Sequence, residues 1–497
     1  MAAQPAQSAK PLRALLHGLA EVAPRHDRAI AGLSLDSRSV ARGHLFIAVP
    51  GATHDGRDYI PLAVQRGAAA VVREKMRAPP ARDCSVPSFD IAGLNAHIGG
   101  IAARFFDHPS ARMQSVGITG TNGKTTCACL IAQALDLLGR RCALMTTLGT
   151  GFIGALHPSP LTTADALATQ RTLASLLARR AAAVCIEVSS HGLEQGRVNG
   201  VAFDIAVLTN LSRDHLDYHR SMARYRDAKR KLFKFDALGC AVINIDDRFG
   251  RDLLHRHRAA RCLTYGVHNA AADLRARGFD ASADGIALRA EYRGETAVVR
   301  SPLLGAVNVP NLLAAIAAVL CCGHGLREIA ATAGQWRAPP GRMELIPRQP
   351  HRPAVVIDYA HTPDALERAL ASLAPLCRGR LWVVFGCGGD RDPGKRPLMG
   401  RVAEAIADRV LITDDNPRFE SPEHIAAQIT EGMTGKAEVI HDRRRAILTA
   451  LTAAAAEDMV LVAGKGHEAT QTVGDRVLEL SDRDIVAEAP AVPGGPQ

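Results

Sequence analysis

Short strand-like runs alternate along this chain with stretches in which apolar residues recur every three or four positions. Runs of the first kind have the length of buried strands, and the second spacing is that of amphipathic helices. The strand-like runs are residues 33–38, 45–49, 68–72, 115–119, 184–188, 205–209, 241–245, 354–358, 381–386, 409–413 and 459–463. This alternation predicts an α/β protein with largely parallel sheets wrapped by helices.

Two segments rich in helix and strand breakers, residues 108–110 and 339–342, divide this pattern into three parts. A chain of 497 residues is also too long for one ordinary core. We therefore predict an N-terminal α/β domain at residues 1–111, a central P-loop-type parallel-sheet domain at 112–345, and a C-terminal Rossmann-like α/β domain at 346–497.

A glycine-rich turn, G-T-N-G-K-T-T at residues 120–126, stands between the strand-like run 115–119 and a helical pattern at 127–138. Backbone N–H groups in such a turn and the positive end of the helix dipole point at an anion. Lys124 is placed to reach the β and γ phosphates of a nucleotide, and Thr125 to ligate Mg²⁺. The turn therefore predicts a nucleotide-phosphate site.

The turn lacks one residue of the full P-loop pattern, which has a glycine where Ile118 stands. Taken alone, it is also compatible with an ordinary βα turn that carries an incidental lysine. The other motifs must therefore decide between these two interpretations.

The net charge of +10 raises the question of nucleic acid, but the chain has no lysine-rich tract and only 4% aromatic residues. Acidic small molecules such as nucleotides account for the charge equally well, as does an arginine-rich surface. The eleven cysteines are scattered without a C-x-x-C pair, which favours a reducing cytoplasm. We expect no signal peptide and no membrane span, because no apolar run reaches the required length.

Two segments of the central part carry candidate metal ligands. Glu187 ends a strand-like run and suits Mg²⁺ beside a phosphate site, although a strand-end carboxylate can also cap the next turn. His215 and His219 stand four positions apart, which would suit one face of a helix. A zinc site lacks the glutamate of H-E-x-x-H, so one histidine near the Mg²⁺ is the better hypothesis. Lys229 lies among several basic residues, and taken alone it is interpreted as a surface lysine.

Four turns of the C-terminal part follow strand-like runs, and ligands of open α/β sheets bind at such strand ends. Asp358 suits either a ribose hydroxyl or a helix cap. Arg391, in a second glycine-rich turn, and Arg418, after Pro417, suit a carboxylate, and Glu468 suits an ammonium group. A cation and an anion at neighbouring strand ends describe an amino-acid pocket, while each turn alone is equally compatible with a solvated loop.

The motifs together resemble those of the Mur ligase family over essentially the whole chain. The segments that carry the resemblance are residues 35–38 (LDSR), 120–126 (GTNGKTT), 187–191 (EVSSH), 210–215 (NLSRDH), 308–311 (NVPN), 340–344 (PGRME), 358–361 (DYAH), 415–418 (DNPR) and 464–468 (GKGHE). The family implies a UDP-binding N-terminal domain, a central ATPase domain and a C-terminal domain that closes over the nucleotide. In this family the shorter phosphate turn is the usual form.

The resemblance also implies roles for individual residues. ATP would contact Gly120, Thr121, Asn122, Gly123, Lys124, Thr125, Thr126, Asn311, Arg342 and Asp358. The UDP-linked substrate would contact Leu35, Ser37, Ala52, Thr53, His54, Thr162, Thr163, Ser189, Gln195 and Arg197. The metal ligands would be Thr125, Glu187 and His215, and the catalytic residues Lys124, Lys229 and His215. Lys229 matches a family lysine that becomes carbamylated to N6-carboxylysine.

The resemblance implies an ATP- and Mg²⁺-dependent ligase of cell-wall peptidoglycan synthesis that works as a cytoplasmic monomer on small molecules. The amino acid added would be meso-2,6-diaminopimelate, not L-lysine, because two arginines suit its extra carboxylate. Its pocket would contain Arg391, Asp415, Asn416, Pro417, Arg418, Gly464 and Glu468. One departure lies at Leu161, where relatives tend to carry asparagine, and leucine cannot supply that amide's hydrogen bonds.

Three other hypotheses remain open at the level of sequence. The first is the same ligation with L-lysine, and the second is a different enzyme on the same core, such as another Mur ligase or a folylpolyglutamate synthetase. The third is a non-catalytic nucleotide-binding protein. The segment 415–418 argues against the second hypothesis, and an acceptor-dependent reaction would exclude the third.

Overall fold

The computed structural model describes residues 8–51, 54–75, 84–159, 161–347, 351–435 and 437–489. Three larger sheets, of four, eleven and six strands, follow one another along these ranges. Helices separate most of the strands, which is the mixed α/β architecture that the strand–helix alternation predicts. No helix in the described ranges has the length and apolarity needed to cross a membrane.

The N-terminal sheet has the order β3-β4-β5-β6 and is parallel throughout. Its part of the chain contains β1 (Lys10–Pro11), α1 (Leu12–Leu15), β2 (Ala29–Ile30), β3 (Gly32–Ser34), β4 (His44–Ala48), α2 (Ile60–Gln65), β5 (Ala70–Glu74), β6 (Ser88–Ile91) and α3 (Leu94–Phe105). The strand expected at 33–38 ends at Ser34. There the Asp36 carboxylate accepts a hydrogen bond from the Arg38 backbone N–H at 2.8 Å and begins a 3₁₀ turn instead.

The central part of the chain forms one sheet of the order β10-β9-β8-β11-β7-β12-β13-β14-β15-β16-β17. Its elements are β7 (Gln114–Thr119), α4 (Lys124–Leu137), β8 (Cys142–Thr146), β9 (Gly149–Phe152), β10 (Ala155–His157), α5 (Ala166–Ala178), β11 (Ala183–Glu187), α6 (Ser190–Glu194), β12 (Ile205–Leu208), α7 (Leu216–His219), α8 (Met222–Arg230), β13 (Cys240–Asn244), α9 (Arg248–Leu253), β14 (Arg261–Gly266), β15 (Leu274–Ser282), β16 (Gly285–Tyr292), β17 (Glu295–Ser301), α10 (Val309–Cys321) and α11 (Leu326–Thr332).

The parallel strands of this sheet bring their carboxyl ends to one edge. β7 lies between β11 and β12, with Glu187 opposite Ile118 and Leu208 opposite Thr119. β8 pairs with β11 on the far side, so the residue after Thr146 reaches the same edge. Since α4 follows β7, the first turn of α4 opens at the centre of that edge.

The antiparallel run β15-β16-β17 was not predicted from the sequence. These strands are buried on one face only, so charged residues such as Arg289 and Arg300 interrupt the apolar pattern. The criterion of short continuous apolar runs therefore recovers most of the buried parallel strands, although not β8, and misses these half-exposed antiparallel ones.

The C-terminal sheet has the order β18-β19-β23-β20-β21-β22, and only β18 is antiparallel to its neighbour. Its part of the chain contains β18 (Glu344–Ile346), β19 (Ala354–Asp358), α12 (Pro363–Leu373), β20 (Leu381–Phe385), α13 (Arg396–Ile406), β21 (Arg409–Ile412), α14 (Pro422–Thr430), β22 (Glu438–Val439), α15 (Arg443–Ala453), β23 (Met459–Ala463), the hairpin β24 (Thr470–Val473) and β25 (Arg476–Glu479), and α16 (Asp482–Glu488). The expected domain boundary at 345/346 falls within β18, so this sheet begins before it.

The three parts share apolar packing at their junctions. Ala166 and Leu167, from α5 of the central part, are buried in the N-terminal core. Leu304, just before α10, is buried in the core of the C-terminal part. Apolar packing thus joins the central part to each of its two neighbours.

Candidate active site

The phosphate turn requires glycine at both of its glycine positions. A Cβ on Gly120 would collide with Thr209, and a Cβ on Gly123 would collide with the Asn311 side chain. Gly123 also has the left-handed φ of 83° and serves as the residue immediately before α4, which begins at Lys124. The backbone of this turn is therefore exposed to an anion at the helix N-terminus.

Two lysines converge on one carbonyl of the turn. Lys124 Nζ donates to the backbone oxygens of Gly120 at 3.1 Å and Thr121 at 2.8 Å. Lys229 Nζ donates to the same Gly120 oxygen at 2.7 Å and lies 4.5 Å from the centre of the Tyr225 ring. Lys229 is only 1% exposed, so the interpretation of this residue as a surface lysine is wrong.

Burial lowers the pKa of both lysines, because the charged form loses its water. For Lys229 the positive charge of Lys124 adds to this effect, and its pKa lies well below the ordinary value. For Lys124 the carboxylate of Glu187 acts in the opposite direction. Lys229 is thus the lysine that more readily becomes a neutral amine.

A cluster of hydroxyl and carboxylate oxygens lies beside the two lysines. Glu187 Oε2 accepts hydrogen bonds from Thr125 Oγ1 at 2.8 Å and from Thr147 Oγ1 at 3.1 Å. Ser189, and not Glu187, caps the following helix α6, so the capping interpretation of Glu187 is wrong. Arg342 Nη2 donates to Thr125 Oγ1 at 3.2 Å from the opposite side.

Three histidines group next to this cluster. The His191 ring lies 4.9 Å from that of His215 and 5.4 Å from that of His219, measured between ring centres. His219 is buried and its Nε2 lies 2.9 Å from Ser190 Oγ. His215 precedes α7 in a left-handed conformation, and burial lowers its pKa to about 4 against the attraction of Asp214. His215 is therefore neutral at pH 7.

Nine of the ten residues assigned to ATP, all except Gly120, line one cavity between the central and C-terminal sheets. Arg342 lies over the Tyr359 ring, 4.2 Å from its centre. Asp358 accepts backbone hydrogen bonds from Met343 at 2.7 Å and Ala360 at 2.8 Å. Thr362 caps α12, so the helix-cap interpretation of Asp358 is wrong: this carboxylate fixes the wall of the cavity.

A second cavity, between the C-terminal and central parts, is lined by six of the seven residues assigned to the amino acid: Arg391, Asp415, Asn416, Arg418, Gly464 and Glu468. Pro417 is not part of its wall. Arg418 has a left-handed φ of 53°, and its Nη1 donates to the Gly389 oxygen at 2.7 Å. Because the backbone turns this way, the Arg418 guanidinium reaches the turn that carries Arg391.

Residues assigned to the muramoyl-peptide are linked by hydrogen bonds. Arg197 donates to Gln195 Oε1 at 2.8 Å and to the Thr163 oxygen at 2.7 Å. Thr163 Oγ1 lies 3.2 Å from Ser189 Oγ. Thr162 and Ser189 also line the nucleotide cavity, so this linked group extends from its wall.

The residues assigned to UDP lie in the N-terminal part. Leu35, Ser37 and His54 line neither of the two cavities. Ala52 and Thr53 fall outside the described residues. Leu161 is 46% exposed. The structure thus brings together the ATP and amino-acid residues more closely than those assigned to UDP.

The two cavities share a wall made of Asp214, His215, Tyr359 and His361. His361 Nδ1 lies 2.8 Å from the Tyr359 backbone oxygen, which requires a proton on Nδ1 because a carbonyl only accepts. Burial lowers the pKa of His361. A phosphate in the first cavity and an amine in the second would therefore both lie next to these side chains.

Sequence reasoning missed several of these wall residues. Thr147, which lines the nucleotide cavity, follows β8, a buried strand that the apolar runs did not predict. Tyr359 and His361 lie in the quoted segment 358–361 but received no role, and the same holds for Asp214 in segment 210–215. In each case the signal was the position at a strand end.

Models of known families match three segments of the chain. The Mur ligase middle domain matches residues 118–319, the glutamate ligase domain of Mur ligases matches 341–466, and the catalytic domain of the Mur ligase family matches 29–106.

Curated relatives match nearly the whole chain. UDP-N-acetylmuramoyl-L-alanyl-D-glutamate–2,6-diaminopimelate ligase of Pseudomonas putida is 49% identical over 467 residues, with 92% of this chain and 94% of the relative covered. The enzyme of the same name from Alkalilimnicola ehrlichii is 47% identical over 490 residues, with 96% and 98% covered.

Solved structures also align with most of this chain. A structure of UDP-N-acetylmuramoyl-L-alanyl-D-glutamate–2,6-diaminopimelate ligase aligns with a TM-score of 0.71 at 36% identity, over 97% of this chain and 98% of that one. A MurF ligase of Thermotoga maritima in complex with ADP aligns with a TM-score of 0.62 at 18% identity, covering 87% and 93%, which supports the fold alone.

Proposed function

This chain belongs to the Mur ligase family, and we propose that it joins meso-2,6-diaminopimelate to UDP-N-acetylmuramoyl-L-alanyl-D-glutamate through an acyl-phosphate intermediate. It is an ATP-dependent, amide-bond-forming ligase of peptidoglycan synthesis. The observation that carries the proposed mechanism is the shared wall, which joins a phosphate cavity to a cavity lined by two arginines and a glutamate.

The reaction has to activate a carboxylate, because the leaving oxygen of a free carboxylate is too basic. Transfer of the γ-phosphoryl group of ATP to the D-glutamyl γ-carboxylate gives an acyl phosphate and ADP. We assign Lys124, now held by the Gly120 and Thr121 oxygens, to the phosphates, where its charge would stabilise the transferring group. The amine of the incoming amino acid then attacks the acyl carbon, and phosphate leaves.

The oxygen cluster fits Mg²⁺, which prefers carboxylate and hydroxyl oxygens and keeps several waters. Glu187 and Thr125 would hold the ion, with the neutral His215 beside them. When bound, Mg²⁺ would neutralise phosphate charge. Glu187 and Thr125 already lie 2.8 Å apart at the mouth of the phosphate turn, so the chain needs no large rearrangement to offer these oxygens.

Lys229 suits the carbamylation that its family counterpart undergoes. Only a neutral amine adds CO₂, and the pKa of Lys229 is lowered well below its ordinary value by burial and by Lys124. A carbamate there would replace a cation by an anion close to Lys124 and Glu187. Its presence would be detected as a carbamate carbon signal in the NMR spectrum of the folded enzyme supplied with carbon-13-labelled CO₂, and this signal should be absent in Lys229→Ala.

Substrate positioning is assigned to the remaining groups. The muramoyl-peptide would be held beside the phosphates by Thr162 and by the hydrogen-bonded residues Thr163, Ser189, Gln195 and Arg197. In the N-terminal domain, Leu35, Ser37 and the loop 52–54 would hold the UDP part. Holding three substrates in line would supply much of the rate acceleration.

The second cavity accounts for the choice of amino acid. meso-Diaminopimelate and L-lysine differ by one carboxylate at the distal end, and Arg391 and Arg418 offer it two guanidinium groups. With L-lysine these cations would face a methylene group. A site that is built around charged hydrogen bonds strongly rejects an analogue that lacks the partner.

Phosphate release by the purified enzyme tests this assignment. With ATP, Mg²⁺ and the UDP-linked dipeptide, meso-diaminopimelate should release phosphate far faster than L-lysine. Equal rates with the two amino acids would favour the lysine alternative. If no amino acid causes phosphate release, a non-catalytic nucleotide-binding protein would be favoured.

We also propose that the protein acts in the cytoplasm as a monomer on small-molecule substrates, without nucleic acid and without membrane insertion. The described residues that line the two cavities all come from one chain, which is the arrangement that a monomer needs. The molar mass in solution, with and without ATP, tests the monomer.

A further inference from the structure

A lysine lies directly behind the amino-acid cavity without lining it. Lys465 follows β23 in a turn between Gly464 and Gly466, which both have left-handed φ values, of 109° and 54°. Its side chain is 0% exposed, although lysine is almost never fully buried unless it is paired. This burial requires partners for all three ammonium hydrogens.

The three partners of Lys465 are all oxygens. Nζ donates to the Thr470 backbone oxygen at 2.6 Å, to Glu468 Oε2 at 3.2 Å and to Asn416 Oδ1 at 3.4 Å. Two of these three acceptors, Glu468 and Asn416, belong to side chains that line the cavity. Lys465 therefore connects two binding groups that are far apart in the sequence.

The same contacts determine how Asn416 and Glu468 are oriented. Asn416 Nδ2 donates to Glu468 Oε2 at 2.9 Å, and its Oδ1 also accepts the backbone N–H of Thr472 at 2.9 Å. Glu468 Oε2 is thus engaged twice. Glu468 Oε1 has one longer contact, 3.4 Å from the Tyr359 hydroxyl, among the described residues.

Charge supports this arrangement. Burial alone would raise the pKa of Glu468, but the charge of Lys465 and the hydrogen bonds from Asn416 and Lys465 lower it below the ordinary value. The carboxylate therefore stays ionised beside the cavity, as recognition of an ammonium group requires.

We propose that Lys465 is a positioning residue for amino-acid recognition: it holds Glu468 Oε2 and Asn416 Oδ1 so that Glu468 Oε1 faces the ammonium group of the incoming amino acid. The inference deepens the proposed function and rests on it. Lys465 acts through Glu468 and Asn416 and does not itself touch the amino acid.

The test is Lys465→Met, which keeps the chain length and removes the donors. The KM for meso-diaminopimelate should rise about 10- to 100-fold, since hydrogen bonds to charged groups are worth one to two factors of ten. The KM for ATP should stay within about twofold, because Lys465 does not line the nucleotide cavity. Arg444→Met, which removes an exposed ion pair with Glu488 in the same domain, is the matched control and should change neither constant.

A double-mutant cycle with Glu468→Gln separates positioning from a general effect on the fold. If Lys465 acts through Glu468, the KM of the double variant for meso-diaminopimelate should exceed that of the more impaired single variant by no more than about threefold. Effects that multiply, or a KM for meso-diaminopimelate unchanged in Lys465→Met, would overturn the proposal.

Thermal unfolding of each variant shows whether it is folded. If Lys465→Met does not fold, Lys465→Gln retains amide donors and should give a smaller rise in the same KM. An unchanged KM in a folded Lys465→Gln variant would equally count against the proposal. An unmodified enzyme that fails to respond to meso-diaminopimelate would instead refute the proposed function.

Discussion

The two cavities are built in different ways. Six consecutive residues, 121–126, provide most of the phosphate side of the nucleotide cavity, and Lys124 is held by oxygens three and four positions away. The amino-acid cavity combines turns at residues 386–392, 415–418 and 464–468, which lie at the ends of β20, β21 and β23, with residues of the central part such as Asp214 and His215. Its contacts, such as Asn416 to Glu468, join residues 52 positions apart.

This difference separates two kinds of recognition. A phosphate group is held by the backbone and by the helix N-terminus, so one short segment is sufficient and many proteins can share it. Recognition of one amino acid requires side chains from several strand ends in a fixed relation. General nucleotide chemistry is thus encoded locally, and substrate choice is encoded in the fold of the C-terminal domain.

The most severe loss is expected in the local segment. Lys124→Ala should lower kcat for phosphate release about 1000-fold, because it removes a charge aimed at the transferring phosphoryl group. The exposed Lys231, paired with Glu194, provides the control, and Lys231→Ala should keep full activity. Activity of Lys124→Ala within tenfold of the unmodified enzyme would show that the turn does not carry the phosphate chemistry.

A smaller and more selective loss is expected in the assembled cavity. Arg418→Ala should lower kcat/KM for meso-diaminopimelate about 100-fold, since it removes one charged partner of a carboxylate. The KM for ATP should not change, and the already slow reaction with L-lysine should fall less. Arg444→Ala serves as the control. An equal loss for both amino acids would mean that Arg418 does not distinguish them.

The ion pair between Arg396 and Glu420, which also contacts the turn at Gly388, should lose its stabilising effect in acid. Arg396, fully buried, donates to Glu420 at 2.6 Å and to the Gly388 oxygen at 3.1 Å, and the hydrogen bond from Arg396 lowers the pKa of Glu420 from 4.5 to about 2. Because the folded-state pKa is the lower one, the stabilisation is fully present above pH 4.5 and is lost as the pH falls towards 2.

Glu420→Gln should therefore lower the free energy of unfolding of the C-terminal domain by about 1–3 kcal/mol at neutral pH. The difference between this variant and the unmodified protein should shrink at about pH 3, in guanidinium titrations at both pH values. Glu431→Gln, at an exposed position just after α14, is the comparison variant. A difference that does not depend on pH would contradict the role given to the ionised Glu420.

The smallest effect is expected where the two regions touch. Asn122 Nδ2, in the phosphate turn, donates to Asp364 Oδ2 of α12 at 2.9 Å. Asp364→Ala should raise the KM for ATP about fivefold, which corresponds to one hydrogen bond. Glu367→Ala, three residues further on the exposed face of α12, should have no effect. An unchanged KM in Asp364→Ala would mean that this contact does not support nucleotide binding.

The contrast between a site of consecutive residues and a site of distant segments also explains which features could be predicted from the sequence. The α/β class and most buried strands were predicted because apolar runs report them, and the phosphate turn was predicted because its residues are consecutive. The burial of Lys229 and the partners of Glu468 depend on packing between distant segments, which periodicity does not report. The strand β16 was not predicted, because Arg289 on its exposed face interrupts the apolar pattern.

Asp214, His215, Tyr359 and His361 form, among the described residues, the wall that the two cavities share. A single compound that carries a phosphate mimic and an amino-acid carboxylate on a short linker could reach both sides of it. Once one end is bound, the other would meet its site at an effective concentration of about millimolar or higher. An inhibitor of this kind would combine the binding free energies of two weakly binding groups in one molecule. Its selectivity would come from the group that enters the amino-acid cavity.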